Sequence, residues 1–356
     1  MTLTTLPIAI LIFSVILTNV HAQISDISSP TSENGDVFVG LDNGTVQWRR
    51  SDGTFVASLT VPGGGAITGM TFDKSGKLYV TKFDANNISV FAANGALLSP
   101  TFGSNYGKSP ESIVFDISGN AYVGQAYGNK KILKFDSTGN YLANYTVTTE
   151  IKGSDWIDLA ADQCTIYYTS EGQSIMKFDV CNNKQLDSFS SNLPGSKAFA
   201  LRILPDGRVL VADSNNALLL GSSGKIIKYY NATGENNLFA LNLDPDLKSF
   251  WTAGLHTGDV YKFNIDSGEG HLIFNAGTGV GGMAIRGEFT RATQPPPSIP
   301  LVVIAVAGTT AVAAIGGTLV ALNIPKPIPQ PNIPLNATLT VRIDPPRIEI
   351  IGRRLG

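Results

Sequence analysis

Along most of the chain, apolar and polar positions alternate in bursts of about five residues, and each burst ends in a Gly, Asn or Asp turn. The bursts recur in a fixed order. An apolar strand leads through a D-x-x-G type turn into a β-branched and aromatic strand such as "LYV" or "AYV". A polar turn, a third alternating strand such as "ILKFD" and another Gly or Asn turn then precede a fourth strand. The unit repeats about every forty residues. Its core reads "ITGMTFDKSGKLYVTKFDANNISVFAANGALL" from Ile67, "PESIVFDISGNAYVGQAYGNKKILKFDSTGNYL" from Pro110 and "DWIDLAADQCTIYYTSEGQSIMKFDVCNNKQL" from Asp155. Looser copies begin at Phe199 and Phe239. Four antiparallel strands per unit make one propeller blade.

The ends of the repeat region supply one more blade. "DVFVGLDNGTVQWRRSDGTFVASLT" (Asp36 to Thr60) has a second, third and fourth strand but no first, and "GVGGMAIRG" (Gly279 to Gly287) is a first strand with nothing after it. Joined, they close the ring and leave no unpaired sheet edge. The predicted fold is all-β: a six-bladed β-propeller over residues 36–289, closed by a blade shared between the N- and C-terminal ends.

The strings "P-x-x-I-x-F-D-x-S-G-N-x-Y-V" and "K-I-L-K-F-D-x-x-G" resemble NHL repeats. The six-blade ring carrying them is similar to the wider group that holds the SMP-30/gluconolactonase and streptogramin-lyase-like propellers. The resemblance covers about Asp36 to Phe289 and is specific for the fold and poor for activity, since this fold carries lactonases, lyases and modules that only bind.

Two long apolar runs flank the ring. Leu6 to Val20, followed by "VHA", has the length and small-residue cut site of a signal peptide ending at Ala22, although no Lys or Arg precedes Arg49 and an uncleaved anchor stays open. Residues 23–35 form a leader. The second run, Leu301 to Leu322, is free of charge, and as a helix at about 1.5 Å per residue it spans a ~30 Å hydrocarbon layer. It is therefore read as one C-terminal transmembrane helix. Ala305, Thr309, Ala313, Gly317 and Ala321 fall every fourth residue, a stripe that would allow self-association of the helix, against the plain alternative of an Ala/Gly-rich span. "TRATQPPPSIP" (290–300) is an extended spacer. Lys326, Arg342, Arg347, Arg353 and Arg354 place the tail (323–356) on the cytoplasmic side and the ring at the cell surface. A lipid-anchor signal would end with its apolar run, and this chain continues to Gly356. The tail starts Pro-rich and then alternates like a hairpin about Asp344 to Pro346.

The residue entering each first strand is expected at the mouth of the central channel. Aligning the copies on Met70, Ile113, Ile157, Leu201, Leu241 and Met283 puts Thr68, Glu111, Asp155, Phe199, Phe239 and Gly281 there. Glu111 and Asp155 come from neighbouring blades, so they are candidates to share a proton or to hold Ca²⁺ or another divalent metal. The resemblance to SMP-30 lactonases implies a metal held by Glu, Asn and Asp from different blades. Here no Asn occupies the ring, and Phe199 and Phe239 stand where polar groups are needed. Solvation is the ordinary fate of carboxylates at such a junction. Trp156 caps the mouth, stacks on a ligand or belongs to the core.

A streptogramin-lyase-like reaction asks for histidine as general acid or base. His256 is expected in a turn on the mouth face and His271 at the outer rim, without the paired arrangement. "GTGVGG" (277–282) matches a dinucleotide motif by letter, but a strand follows it, not a helix.

Composition narrows the partners. With 15% charged residues and a net charge of −2 in 356 residues, the chain offers no basic surface for nucleic acid. Cys164 and Cys181, the only cysteines, flank the hairpin "TIYYTSEGQSIMKFDV" almost symmetrically about Gly172, and outside the cytoplasm they are expected to form a cross-strand disulfide. Sequons at Asn43, Asn87, Asn144 and Asn231 mark candidate glycosylation sites on the ring, and a fifth at Asn336 would stay unmodified in a cytoplasmic tail. Together these features read as a membrane-tethered extracellular propeller that binds a protein, glycan or small ligand. The alternatives are a metal-dependent hydrolase of a lactone or ester and a structural envelope protein.

Overall fold

Each repeat unit folds into one four-stranded antiparallel sheet, and six such sheets stand among residues 30–290. The computed structural model of the chain describes those residues and, beyond them, the backbone of five short strands. The expected signal peptide, most of the leader and nearly all of the spacer lie outside the described residues.

The innermost strands of blades 1 to 6 are Val280–Ile285, Ile67–Phe72, Lys108–Phe115, Ile157–Leu159, Leu201–Ile203 and Leu238–Leu243. Burial falls from these strands outward. Val280–Ile285 and Leu238–Leu243 are buried at every position, because blades pack against both faces of the sheet near the axis. The outermost strands Phe55–Thr60 and Gly270–Asn275 are largely exposed. The core accordingly lies between blades, in apolar clusters such as Tyr79, Ile113, Phe115, Leu133 and Phe135 across blades 2 and 3. Each fully buried Ile or Phe there contributes about 1.5–3 kcal/mol.

The turns follow from their Asp and Gly residues. In "DISGN" the Asp116 carboxylate accepts Asn120 N at 2.8 Å, and Gly119 takes φ 86°, a left-handed conformation that glycine adopts without strain. The ring closes as its incomplete ends require: Val280–Ile285 pairs antiparallel with Val37–Leu41 in the register Val39↔Met283, Gly40↔Gly282. Gly281 and Gly282 are there for packing, since a Cβ on them would stand 2.3 Å from the Ile67 carbonyl oxygen and 1.8 Å from that of Thr68. The seat Gly281 occupies in the mouth ring is therefore set by the close approach of blades 1 and 2.

Cys164 and Cys181 form the expected disulfide, with Cα atoms 5.2 Å apart. The register Thr165↔Asp179 sets Cys164 opposite Val180, so the bond runs diagonally, just beyond the strand ends.

Residues 295–356 form a separate unit. Where the backbone of residues 301–322 is described it differs from the expected continuous helix: Val302–Ile304, Val312–Ile315 and Thr318–Ala321 form a three-stranded antiparallel sheet. β-Branched residues disfavour helix, and Gly308, Gly316 and Gly317 fall between these strands. No helix among the described residues is long and apolar enough to cross a membrane. In the tail, Thr338–Asp344 pairs with Arg347–Arg353 around Pro345 and Pro346.

Candidate binding site at the channel mouth

All six innermost strands run the same way along the axis, so the residues that enter them gather at one end, the mouth. The turns between second and third strands, among them 170–174, 214–215 and 255–258, rise on the same face. Thr68 is buried, its hydroxyl 2.8 Å from that of Thr81 and 3.4 Å from the Pro110 carbonyl oxygen, so its polar atom is used between blades. Ser112 donates to the Asp155 carbonyl oxygen at 2.5 Å and Thr169 to that of Phe199 at 2.9 Å, tying blades 3, 4 and 5 together beside the mouth.

Glu111 and Asp155 depart from the solvated expectation. They are 2% and 0% exposed, because neighbouring blades close over the strand entries. Glu111 Oε2 and both carboxylate oxygens of Asp155 have no hydrogen-bond partner. Burial pushes the Glu111 carboxyl up to about 8, and the Glu171 charge adds to it while Lys152 and Lys197 oppose. Asp155 is likewise raised, by burial first and then by Glu111 and Glu171. The nearby lysines are engaged elsewhere: Lys197 Nζ lies 2.6 Å from Glu171 Oε2, and Lys152 Nζ lies 3.8 Å from the centre of the Tyr127 ring.

Trp156 belongs to the core. It is 1% exposed and meets the Phe239 ring edge-on at 5.7 Å, and Phe239 in turn meets Phe199 at 4.7 Å. Trp156 Nε1 also lacks a partner. Trp156, Phe199 and Phe239 thus form one buried aromatic group.

On the same face Ser196, Lys197, Phe199, Ser214, Asn236, Asn237 and His256 line an open depression of about 430 Å³. His256 sits in the turn after Ser249–Gly254, as its position in the repeat predicts, with Nε2 3.3 Å from Asn237 Nδ2. His271 lies on the outermost strand Gly270–Asn275, 3.3 Å from Glu269, whereas His256 sits in the turn before the third strand of the same blade. The sequon residues Asn43, Asn144 and Asn231 are exposed and Asn87 is half-buried.

A divalent metal finds part of a site here. The unpartnered carboxylate oxygens suit a hard cation, but Ca²⁺ takes six to eight oxygen ligands. Among the described residues the only three His, Cys, Asp or Glu side chains within 4.8 Å of one another are Cys164, Asp179 and Cys181, and both thiols there are spent in the disulfide. Glu111 and Asp155 are therefore two of the ligands a metal would need, not a full set.

The other end of the channel carries a network that the alignment by mouth position passes over. Arg202 Nε donates to Glu288 Oε1 at 2.8 Å, Asn242 Nδ2 to Glu288 Oε2 at 2.8 Å, and Leu243 N to Glu288 Oε1 at 2.7 Å. Asp158 accepts Ile203 N at 2.7 Å and Leu159 N at 2.9 Å. Burial raises the Asp158 pKa, and the Arg202 charge opposes the rise. Asp158, Arg202 and Asn242 each stand one residue after the aligned Ile157, Leu201 and Leu241, so the same alignment holds their signal one column along.

No protein-family model matches the chain, and no curated protein sequence matches it. Solved structures do. A chain of the crystal structure of a nidogen/laminin complex superposes with a TM-score of 0.58 at 15% identity, covering 71% of this chain and 98% of its own. A protein of unknown function from Bacteroides caccae gives 0.56 at 16% identity, covering 71% of this chain and all of its own. A streptogramin B lyase gives 0.49 at 16% identity over 63% of this chain and 74% of its own. At these identities the first two show a likeness of fold alone, which is the β-propeller.

Proposed function

We propose that this six-bladed propeller is an extracellular, membrane-tethered binding module whose mouth face takes a protein, glycan or small ligand. One observation carries the reading: the two ends of the channel are finished differently. The far end is stitched by Arg202, Asn242 and Glu288, with every carboxylate oxygen of Glu288 bonded and only Asn242 Oδ1 left over. The mouth keeps unpartnered buried oxygens on Glu111 and Asp155 beside an open polar depression. A buried polar atom without a partner costs stability, and such costs persist where a ligand recovers them.

The tether rests on residues 301–322. In lipid, an open-edged sheet leaves backbone groups unpaired, so a bilayer would favour a helix for this uncharged run over the short strands described. The disulfide and the exposed sequons suit the same side of the membrane as the leading apolar run would deliver.

The test is a binding screen of the full chain against extracellular proteins, glycans and small molecules, repeated with Lys197→Glu on the mouth face and Lys74→Glu on the far face. Mouth-face binding requires that Lys197→Glu removes the interaction and Lys74→Glu spares it. Binders that follow only the far-face change would overturn the reading.

The orphaned oxygens of Glu111 and Asp155 also favour a second reading, a metal-dependent hydrolase of a lactone or ester. A metal there would polarise the substrate carbonyl, with Glu111 and Asp155 holding it. Metal analysis of the purified chain decides: stoichiometric Ca²⁺ or Zn²⁺ that is lost in Glu111→Gln supports it, and a metal-free, lactone-inert protein refutes it.

A further inference from the structure

We infer that the depression lined by Ser196, Phe199, Asn236, Asn237 and His256 is a subsite for a neutral saccharide. The inference rests on the mouth-face reading and names the ligand class for one part of it. Its volume of about 430 Å³ lies in the lower part of the range of about 300–1,000 Å³ found for small-molecule sites, enough for one or two sugar rings.

The lining decides the chemistry. Lys197 is its one permanent cation, and Glu171 already neutralises it at 2.6 Å, so the depression offers no spare positive charge to an anion. Six of the seven lining side chains are polar, which disfavours an apolar ligand. Phe199, buried against Phe239, closes the floor of the depression and leaves its polar rim to make the contacts.

The polar groups divide into those that shape the wall and those left for a ligand. Ser214 Oγ accepts Lys197 N at 3.0 Å and donates to Lys197 O at 2.9 Å, and Asp213 accepts Gly195 N at 2.6 Å, so the loop 195–197 is held in place from blade 5. Ser196 Oγ makes one contact, 3.1 Å to Ser214 Oγ. Asn237 and His256 use one nitrogen each on one another, and the exposed Asn236 carboxamide has no hydrogen bond among the described residues. What remains for a ligand is a mixed set of donors and acceptors: Asn237 Oδ1, the Asn236 carboxamide, the second ring nitrogen of His256 and the unused capacity of the Ser196 hydroxyl. Adjacent hydroxyls of a sugar, each both donor and acceptor, match such a set.

Saturation-transfer NMR tests this on the full chain in a detergent without a sugar headgroup. The probes are the methyl glycosides of glucose, galactose, mannose and N-acetylglucosamine, with methyl glucuronide as the anionic counterpart. At least one neutral glycoside should receive saturation, and the double variant Asn237→Ala/His256→Ala should weaken its apparent affinity about tenfold or more. Ser75→Ala on the far face should leave it unchanged. Transfer to none of the neutral glycosides, transfer that survives the double variant, or a preference for the glucuronide would overturn the inference. If sugars fail while Lys197→Glu still abolishes another ligand in the screen, only the saccharide assignment falls. If Lys197→Glu abolishes nothing, the mouth-face reading falls with it.

Discussion

The two ends of the channel use the same kinds of side chain to opposite effect. At the far end Glu288, just beyond the closing strand, meets Arg202 of blade 5 and Asn242 of blade 6, so the last turn of the ring is fastened to two blades at once. At the mouth Glu111 and Asp155 are as deeply buried, yet three of their oxygens have no hydrogen-bond partner and, among the described residues, no cation is paired with them. A carboxylate paired with an arginine stabilises the ring it joins. An unpaired one is tolerated by holding a proton, which is what the upward shift of Glu111 expresses.

Breaking the far end should cost most. Arg202→Ala would leave Glu288 and Asp158 buried without their cation, and removal of one partner from a buried pair costs about 3–5 kcal/mol. Urea unfolding of the variant should show that loss, whereas a change below about 1 kcal/mol would mean the network is not what fastens the ring. The disulfide lies on the same side, in the turns after Ile157–Leu159 and Ile175–Asp179. With a separation of 17 residues, the Cys164→Ser/Cys181→Ser pair should lose about 3 kcal/mol, read from the same unfolding curves under non-reducing conditions.

At the mouth the expected sign is reversed and depends on pH. The Glu111 carboxyl titrates at about 8 in place of 4.5, so between those values the folded chain keeps a proton that the unfolded chain has released. Stability from this site is thus complete below pH 4.5 and is lost as the pH rises through 8. Glu111→Gln cannot ionise and should escape that loss. It should fall below the parent near pH 4 by the pH-independent cost of the buried amide's unmet hydrogen bonds, and exceed it near pH 9 by on the order of 2 kcal/mol once the same cost is subtracted. A variant that becomes less stable than the parent at pH 9 would instead show that a bound cation holds the parent's carboxylate ionised.

The ring itself was legible because propeller blades repeat: turn chemistry such as Asp116 with Gly119, and the strand missing before Asp36, specify the blade count and the closure. The position of Glu111 and Asp155 was legible for the same reason. Their burial was not, since whether neighbouring blades close over a strand entry depends on contacts between repeats, such as Ser112 reaching the Asp155 carbonyl. The network of Asp158, Arg202, Asn242 and Glu288 was missed because Glu288 lies outside the repeat that it fastens. Residues 301–322 show the limit of hydropathy: apolar length says a run can cross a bilayer, while its Val, Ile, Thr and Gly content also suits the short strands described there.

The smallest effect on stability should come from the depression beside the mouth. Asn237 and His256 share one weak contact of 3.3 Å, and His256 is exposed, so Asn237→Ala and His256→Ala should each shift unfolding by no more than about 0.5 kcal/mol. A site built for a ligand has this profile: its side chains contribute little to the fold because their bonding capacity is left for something else. Thermal unfolding of the two variants checks it directly. A loss beyond about 1 kcal/mol in either would make the pair a strut between residues 237 and 256 within blade 6, and the contrast between a fastened far end and an open mouth would weaken accordingly.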